Sequence, residues 1–328
     1  MSDPMATTIF HIDPISQMLM LTIALIFDLL FGEPPETIHP TVIVGRVIER
    51  FDRLLKKVKT RKKIIGFLLT STILILSAYL TFIILETLKG MLGQAGYLII
   101  GGFILKTTFA VKSMELHVNP IMEALEAGEI QAARRALSKI VRRDTEQLDE
   151  RLCSSATIES IAESTVDGII SPIFYYILLG VPGAVAFRVI NTLDSTVGYK
   201  DEEHIELGWF PAKIDTAANY LPARLTGLIM VLTSAILGFD WRNCVKTLLS
   251  EHGKTESLNA GWPMSAMAGS LKVQLWKIGS YKLAEKFDLP NRTDIGSAIK
   301  VMKATTIIFI TGAFMKLILI SFLMRGEI

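Results

Sequence analysis

Cysteine is scarce in this sequence, and its scarcity excludes two kinds of small, cross-linked domain. The 328 residues include two cysteines, Cys153 and Cys244, which stand far apart and in no CxxC or Cys/His pattern. Disulfide frameworks and structural zinc sites both require closely spaced ligating or pairing residues. We therefore expect two free thiols and no zinc site.

A strong excess of charge of one sign is also missing. The formal net charge is +2. Proteins that bind duplex nucleic acid normally carry a dense basic face. Nucleic acid is therefore not an expected partner.

Several common catalytic signatures are absent from the sequence as well. There is no GxSxG nucleophile elbow, no HExxH zinc motif and no dinucleotide-binding glycine fingerprint. Gly253, Lys254 and Thr255 resemble the end of a phosphate-binding P-loop, but Leu248 occupies the position of its first glycine. The usual hydrolases and oxidoreductases are therefore disfavoured.

Long apolar runs, by contrast, are abundant. Hydrophobic residues make up 50% of the chain and charged residues 20%. Each run is near the length that crosses a bilayer as a helix, and the candidate spans are 15–31, 64–88, 93–111, 169–190, 223–239 and 304–324. We therefore expect an all-α fold, a polytopic membrane helical bundle of about 4–6 transmembrane or re-entrant helices with amphipathic cytoplasmic helices. Residues 1–328 are expected to form a single integral membrane domain.

Two of the apolar runs are interrupted. Asp28 lies in the first run, and Pro172, Pro182 and Gly183 lie in the fourth. Broken helices persist at membrane depth only where protein or a water-filled cavity covers them. The fourth run, 169–190, is therefore either a complete span or a re-entrant pair of half-helices.

The basic residues predict an orientation in the membrane. Residues 46–63 contain nine lysines and arginines, so this loop is expected in the cytoplasm. The polar segments that carry the motifs are 112–168, 191–222 and 240–303. The first and third are expected inside. The second lies outside if both flanking runs span the membrane and inside if neither does, and the sequence leaves both placements open.

Three carboxylates stand at helical spacing in the first polar segment. Glu159, Glu163 and Asp167 are four residues apart, so a helix presents all three on one face. Like charges at this spacing repel each other, and we therefore expect a cation or a group of hydrogen-bond donors opposite them. The helix runs directly into apolar Ile169, which favours a functional face over a solvated one.

A second group of polar residues lies in the segment 191–222. Asn191, Asp194 and Ser195 are three and four residues apart, and Gly198 then breaks the element. Their oxygen atoms suit magnesium or phosphate-bound magnesium. This group is therefore a candidate ligand site.

Two further polar groups follow towards the C-terminus. Asp215 and Asn219 stand one helical turn apart, and Arg224 follows at a membrane boundary, where it either binds a ligand or anchors the interface. Asn259 and Trp262 lie in a sequence with the turn chemistry of a binding loop.

An acid, a histidine and a base also gather at the cytoplasmic end of the first span. These residues are Asp28, His39 and Arg46. A lone histidine is usually structural, but its charged neighbours make His39 a candidate for proton transfer.

Taken in order, these motifs resemble the adenosylcobinamide-phosphate synthase family of cobalamin biosynthesis, membrane proteins that attach the aminopropanol arm to cobyric acid. The resemblance covers nearly the whole chain. It is carried by Asp28 to Pro34, His39, Pro40, Gly45, Arg46, Arg143 to Thr145, Glu159 to Glu163, Asp167, Gly168, Asn191 to Ser195, Gly198, Tyr199, Asp215, Asn219, Pro222 to Arg224, Asn259 to Pro263 and Met267 to Gly269. Glu33 departs from the aspartate common in the family, and the stretch after Gln274 lacks an expected glycine-rich tract.

The resemblance implies an ATP- and magnesium-dependent ligase that forms an amide. It would join the propionate carboxylate of (adenosyl)cobyric acid to the amine of (R)-1-aminopropan-2-ol or its O-phosphate. ATP is then a co-substrate, and the corrinoid, the amine and membrane lipid are the expected partners. A homo-oligomer, or association with other late cobalamin-pathway enzymes, is compatible with this function. The expected location is the cell membrane, and the use of cytoplasmic ATP favours placing 191–222 inside.

Residue type then suggests roles for individual residues in this reaction. The catalytic candidates are His39, Glu159, Glu163, Asp167 and Asp194. The candidates for binding substrate or phosphate are Arg46, Arg143, Arg188, Asn191, Ser195, Tyr199, Asp215, Asn219, Arg224, Asn259 and Trp262. Asp194, Glu163 and Asp167 are the candidate magnesium ligands.

The alternative function is a membrane transporter or permease for a polar or corrinoid substrate. Polar residues within the apolar runs, namely Asp28, Lys106 and Lys316, would then line a substrate path. Two features disfavour this alternative: the spans show no internal repeat, and the polar motifs concentrate outside the apolar runs.

Overall fold

Helices dominate the computed structural model, which describes residues 13–34, 45, 46, 48, 50, 62–198 and 205–325. The helices are α1 (Pro14–Phe31), α2 (Lys62–Lys106), α3 (Val111–Glu126), α4 (Ile130–Leu137), α5 (Glu150–Thr165), α6 (Ser171–Val197), α7 (Trp209–Ala218), α8 (Tyr220–Ile236), α9 (Trp241–Glu251), α10 (Gly261–Leu271) and α11 (Arg292–Arg325). A π-helical turn, Val166–Ile170, joins α5 to α6, and a 3-10 turn, His252–Lys254, follows α9. Strands β1 (Leu275–Lys277) and β2 (Tyr281–Leu283) pair antiparallel.

Membrane-compatible helices account for much of the chain. Within the described residues, four helical stretches are long and apolar enough to cross a bilayer: Pro14–Phe31, Lys62–Glu126, Glu150–Val197 and Arg292–Met324. The apolar helix Tyr220–Ile236 is shorter. Together with the helical content, these stretches confirm the expected fold class, an all-α bundle able to span a membrane.

Aspartates begin three of the helices. Asp13, Asp149 and Asp240 precede α1, α5 and α9, and each side chain accepts a hydrogen bond from a backbone N–H of the first turn. Such caps stabilise a helix by about 1 kcal/mol each because they satisfy donors that lack helical partners. At Asp240, hydrogen bonds from Asn243 and the nearby Lys272 ammonium hold the carboxyl pKa below its usual value.

The described chain divides into two compact units, each assembled from separated stretches. The first unit takes its residues from Met1–Ala110, Ser171–Ala217 and Thr311–Ile328. The second takes its residues from Val111–Ile170 and Ala218–Ile310. Each unit therefore brings together residues that are distant in sequence.

In the first unit, α2 is a helical hairpin with its turn at Gly93. This residue has φ of 66° and ψ of −167°, a conformation that is accessible almost only to glycine. A Cβ atom on Gly101 would lie 3.6 Å from Leu85 Cδ2, whereas sixteen residues of straight helix extend about 24 Å. The chain therefore reverses direction at Gly93, and the two arms of α2 pack against each other.

Helix α6 folds back in the same way at Gly180. This glycine has φ of 68° and ψ of −163°. The rings of Tyr175 and Phe187 stack with centroids 5.4 Å apart, although twelve residues of straight helix extend about 18 Å. Pro182 begins the second arm, where a missing backbone N–H breaks no helical hydrogen bond. The run expected at 169–190 therefore includes a tight reversal.

Helix α1 packs against the second arm of α2, and a polar contact joins the two segments near each end. Gln94 donates a hydrogen bond to Ser16 Oγ at 2.9 Å, near the start of both segments. The Lys106 ammonium lies 3.0 Å from an Asp28 carboxylate oxygen near their other ends, and both side chains are buried. Between these contacts, a Cβ on Gly102 would come within 2.6 Å of Ile23 Cγ2. A small residue here allows the close helix packing that is common in membrane bundles.

The second unit is built around α5 and α10, which contact each other. Helix α10 also packs on α8 and α9. Both cysteines are buried in this unit and both are free, as the sequence predicts. Burial raises the pKa of the Cys244 thiol to about 11, so at neutral pH it stays protonated and unreactive.

Candidate functional site

Glu159 lies at the centre of a buried polar cluster in the second unit. Its carboxylate forms an ion pair with Arg143 and accepts hydrogen bonds from Ser155 Oγ at 3.0 Å and from the Tyr281 hydroxyl at 2.8 Å. Glu159 is 2% exposed. A carboxylate at such a position is tolerated when partners of this kind replace its water. The cation and donors expected opposite the α5 acids are therefore confirmed at Glu159.

The β1–β2 hairpin positions Tyr281 against α5. The backbone N–H of Trp276 donates to Ser155 Oγ at 2.8 Å, which ties β1 to the helix. Lys277 is the cross-strand partner of Tyr281. Sequence reasoning missed the hairpin residues because strands of three residues are too short to show an alternating pattern.

The Tyr281 hydroxyl serves as a neutral hydrogen-bond donor. Burial raises the pKa of this phenol, and the negative charge of Glu159 raises it further. Tyr281 therefore keeps its proton at neutral pH and donates a hydrogen bond to the Glu159 carboxylate.

Glu163 lies one turn after Glu159 on α5 but is exposed. The charges that act on it are the neighbouring Glu159 carboxylate and the cationic side chains of Lys277, Arg143 and Arg142. An accessible carboxylate beside several cations can bind an ammonium group while the cations attract an anion. Glu163 is therefore the accessible acid of this site.

Asp167 departs from the arrangement that the sequence predicts. It lies in the π-helical turn that follows α5, and its side chain is partly buried. A π turn has a wider hydrogen-bonding repeat than an α-helix and shifts the residues that follow around the axis. The single face expected for three carboxylates therefore holds for Glu159 and Glu163 and is interrupted before Asp167. Such turns occur frequently at functional sites.

Arg224 joins Asn259 and Trp262 in another part of the second unit. Its guanidinium lies 3.4 Å from the Tyr220 ring centroid and 5.0 Å from that of Trp262. One of its nitrogens donates to the Tyr220 carbonyl at 2.7 Å and to Asn259 Oδ1 at 3.1 Å. The structure thus brings three of the predicted binding residues together around one guanidinium.

Trp262 offers a second donor in this cluster. The His252 ring stands against it, with centroids 4.4 Å apart. Among the residues that the structure describes, no acceptor pairs with the buried Trp262 Nε1. A buried N–H without an acceptor is costly, so this position suits a bound ligand or water.

The first unit holds another predicted group, at the end of α6. Asn191 Nδ2 donates to Asp215 Oδ1 at 3.4 Å, and Arg188 donates to Asn191 Oδ1 at 3.5 Å. Asp194 and Ser195 follow on the next turn and are partly buried. The helix ends at Val197, immediately before Gly198, as the sequence predicts.

The remaining predicted residues are placed as follows. Asp215 and Asn219 were expected one turn apart on a helix, but α7 ends at Ala218 and Asn219 precedes α8, so a helix boundary separates them. Arg46 is exposed. His39 and Tyr199 lie outside the described residues, and their roles stay predictions.

The acids present suit magnesium that arrives with a phosphate group. No three His, Cys, Asp or Glu side chains in the described ranges lie close enough together to hold a metal ion. Magnesium commonly takes one or two protein carboxylates together with substrate phosphates and water. The exposed Glu163 carboxylate, with cations nearby, fits that mode. The assignments of Asp167 and Asp194 to magnesium stay predictions.

Comparison with known proteins gives a consistent match along the chain. The family described as CobD/Cbib protein matches residues 21–308. A probable cobalamin biosynthesis protein CobD of Methanothermobacter thermautotrophicus is 37% identical over 303 residues, which are 91% of this chain and 97% of that protein. Its counterpart in Thermoplasma volcanium is 40% identical over 278 residues, 85% of this chain and 90% of that protein.

A bacterial relative extends the comparison. The cobalamin biosynthesis protein CobD of Pelobacter propionicus is 36% identical over 296 residues, 88% of this chain and 91% of that protein. No solved structure matches the chain. The family match covers the polar clusters of both units, and it confirms the family that the ordered motifs predict. The chain therefore belongs to the CobD/Cbib protein family.

Proposed function

We propose that this protein is a membrane ligase that forms an amide between a propionate carboxylate of (adenosyl)cobyric acid and (R)-1-aminopropan-2-ol or its O-phosphate, at the expense of ATP. Membership of a family whose relatives are named for cobalamin biosynthesis supports the pathway. The observation that carries the proposal is the exposed Glu163 carboxylate beside cations and the buried ion pair of Glu159 with Arg143.

The reaction requires activation, because an unactivated carboxylate is a poor acyl donor to an amine. An oxygen of the corrinoid carboxylate attacks the terminal phosphorus of ATP, and ADP leaves. The amine nitrogen then attacks the carbonyl carbon of the acyl phosphate, the C–O bond to phosphate breaks, and inorganic phosphate departs. The ammonium form of the amine must first lose a proton to a base.

The cluster on α5 supplies groups for the second step. Glu163 binds the ammonium group of the amine and accepts its proton, since it is the accessible carboxylate. Lys277 and Arg142 attract the phosphate oxygens, because both cations act on the same position. Magnesium held by the phosphates would neutralise the charge that develops on the leaving group.

Glu159 is a positioning residue in this scheme. Its carboxylate is enclosed by Arg143, Ser155 and Tyr281, so it holds the Arg143 guanidinium in place rather than touching substrate. The Arg143 side chain is 17% exposed, which leaves part of it accessible to an anion. The ion pair therefore presents a fixed cation to the site.

The other predicted residues offer further groups for substrate binding within each unit. Arg224, together with Asn259 and Trp262, offers a guanidinium and two polar side chains that suit the amides and carboxylate of a corrinoid. In the first unit, Arg188, Asn191 and Asp215 offer a comparable set of donors and acceptors. We assign both clusters to substrate binding, with Asp194 and Ser195 as adjacent ligands.

Two of the three intramembrane charges named for the transporter alternative do not support it. Asp28 and Lys106 form a buried ion pair with each other, so their charges compensate instead of lining a path. In the ligase proposal, Asp28 and Lys106 stabilise the helix packing, and the reaction takes place at the polar clusters. We propose the cell membrane as the location of the protein, given four helical stretches able to cross a bilayer in the described chain.

A product assay tests this function directly. Detergent-purified protein is incubated with adenosylcobyric acid, ATP and magnesium, together with aminopropanol or its O-phosphate in parallel, and the corrinoids are analysed by mass spectrometry. We expect an amide that requires both ATP and amine, and the productive amine identifies the substrate. Protein that is folded and forms no amide with either amine contradicts the proposal.

A matched pair of variants then tests the site. Glu163→Gln keeps the size of an exposed side chain on α5 but removes its charge, and we expect at least a 100-fold lower rate of amide formation because a general base contributes about 10²–10⁴-fold. Glu146→Gln makes the same change at another exposed position and should keep its activity. Equal activities of the two variants would remove Glu163 from the mechanism.

A further inference from the structure

The turn of the α6 hairpin lies at the same end of the first unit as the turn of α2. Near the α6 turn, the Tyr176 hydroxyl donates to the Gln17 carbonyl at 2.7 Å, and Tyr176 is fully buried. Next to the α2 turn, Gln94 donates to Ser16 Oγ at 2.9 Å. Ser16 and Gln17 are neighbours in the first turn of α1, so both turns lie beside the N-terminal end of that helix.

The returning arm of the hairpin is long enough to match a membrane-spanning helix. Helix α1 has 18 residues, which extend about 27 Å. The second arm of α6, residues 181–197, extends about 25 Å at the same rise per residue. The tip carries no charged residue. Its side chains Leu178 and Leu179 are 51% and 46% exposed, and apolar side chains exposed in this way can contact lipid.

The returning arm ends beside the beginning of α2. Val189, Leu193 and Val197 form a buried apolar cluster, against which Ile73 of α2 packs. The chain that follows continues the contact, because the rings of Phe210 and Phe67 lie 4.7 Å apart. The end of the hairpin and the residues after it therefore lie at the start of α2, away from both turns.

We infer that α6 is a membrane hairpin that enters and leaves the bilayer on one face, so that residues 205–217 lie on the face where α2 begins. The inference rests on the membrane location in the proposed function. Nine basic residues in 46–63 place the beginning of α2 in the cytoplasm. The cluster of Arg188, Asn191 and Asp215 then faces the compartment that contains ATP. A single crossing at 169–190 would place Asp215 outside instead.

Cysteine labelling in intact cells tests this topology without any measurement of ligase activity. Glu206→Cys and Lys213→Cys place thiols at two exposed positions after the hairpin. Lys63→Cys marks the start of α2, and Met91→Cys marks its turn, where Met91 is 77% exposed. The parent protein is the blank, since Cys153 and Cys244 are both 0% exposed.

Each variant is treated with a membrane-impermeant maleimide before and after the cells are permeabilised. We expect Met91→Cys to react in intact cells, and Glu206→Cys, Lys213→Cys and Lys63→Cys to react only after permeabilisation. If Glu206→Cys and Lys213→Cys react together with Met91→Cys and apart from Lys63→Cys, α6 crosses the membrane once and the inference is wrong. Failure of the ligase assay alongside the expected labelling would reject the proposed function and leave the hairpin intact.

Discussion

The hydroxyl of Tyr281 illustrates how one side chain links the stability of this protein to its site. It donates to a carboxylate that is 2% exposed, and that carboxylate also holds Arg143. Removal of one partner leaves Glu159 less well satisfied in a buried position, which typically costs about 1–3 kcal/mol. Tyr281→Phe should therefore lower the melting temperature of the purified protein at pH 7, and it should weaken catalysis through Arg143.

The raised pKa of Tyr281 also predicts a dependence of stability on pH. In the unfolded chain a tyrosine ionises near pH 10, whereas in the folded protein burial and the Glu159 charge keep Tyr281 protonated to higher pH. The unfolded state therefore releases this proton first, and folding stability falls as the pH rises above about 10. Tyr281→Phe should lose less stability between pH 9 and pH 11 than the parent. Equal losses in thermal melts across that range would contradict the assigned environment.

At the level of helices, the two reversals depend on glycine backbone conformations. A Cβ on Gly93 would meet no atom within 4 Å, and the same holds for Gly90 three residues earlier. The two positions differ in backbone, because only Gly93 has a positive φ. Both positions therefore have room for a Cβ atom, and they differ only in their backbone conformation.

Substitution by alanine at the two positions should have opposite effects. Gly93→Ala should destabilise the protein by about 1–3 kcal/mol through backbone strain. Gly90→Ala should stabilise it by about 0.5–1 kcal/mol, since alanine is favoured within a helix. Thermal unfolding in detergent compares the two variants, and similar melting temperatures would show that α2 does not turn at Gly93.

The ion pair of Asp28 with Lys106 fastens α1 to the second arm of α2. Its atoms are 3.0 Å apart, and the side chains are 7% and 2% exposed. Removing one member of a buried pair typically costs about 3–5 kcal/mol, whereas replacing both with neutral groups costs much less. Asp28→Asn should therefore unfold at a lower temperature than Asp28→Asn combined with Lys106→Met. A double variant that is less stable than the single variant would show that the charges serve another purpose.

Across the chain, the sequence predicts those features that follow from composition and regular spacing. Apolar runs of bilayer length predict the long helices, and the four-residue spacing of Glu159 and Glu163 predicts their common face. The reversal within 169–190 appeared in the sequence only as one of two alternatives, because an apolar run has the same composition whether it crosses once or folds back. The decisive property, the positive φ of Gly180, depends on packing around the turn.

The candidate site shows the same division. Glu159 was predicted from its spacing, Asn259 and Trp262 from the turn chemistry of their segment, and Arg143 from the ordered motifs. Tyr281 lies 122 residues from Glu159 in sequence, on a strand of three residues, so no local pattern connects the two. The π turn at Asp167 was not predictable either, because it depends on how the end of α5 packs rather than on residue spacing.

In the proposed reaction, ATP drives amide formation through an activated corrinoid carboxylate. The most direct measurement uses adenosylcobyric acid labelled with ¹⁸O in that carboxylate, incubated with the protein, amine, ATP and magnesium, with both products analysed by mass spectrometry. We expect one ¹⁸O atom to appear in the released inorganic phosphate for each amide formed. Absence of the amide, or phosphate without the label, would contradict this reaction.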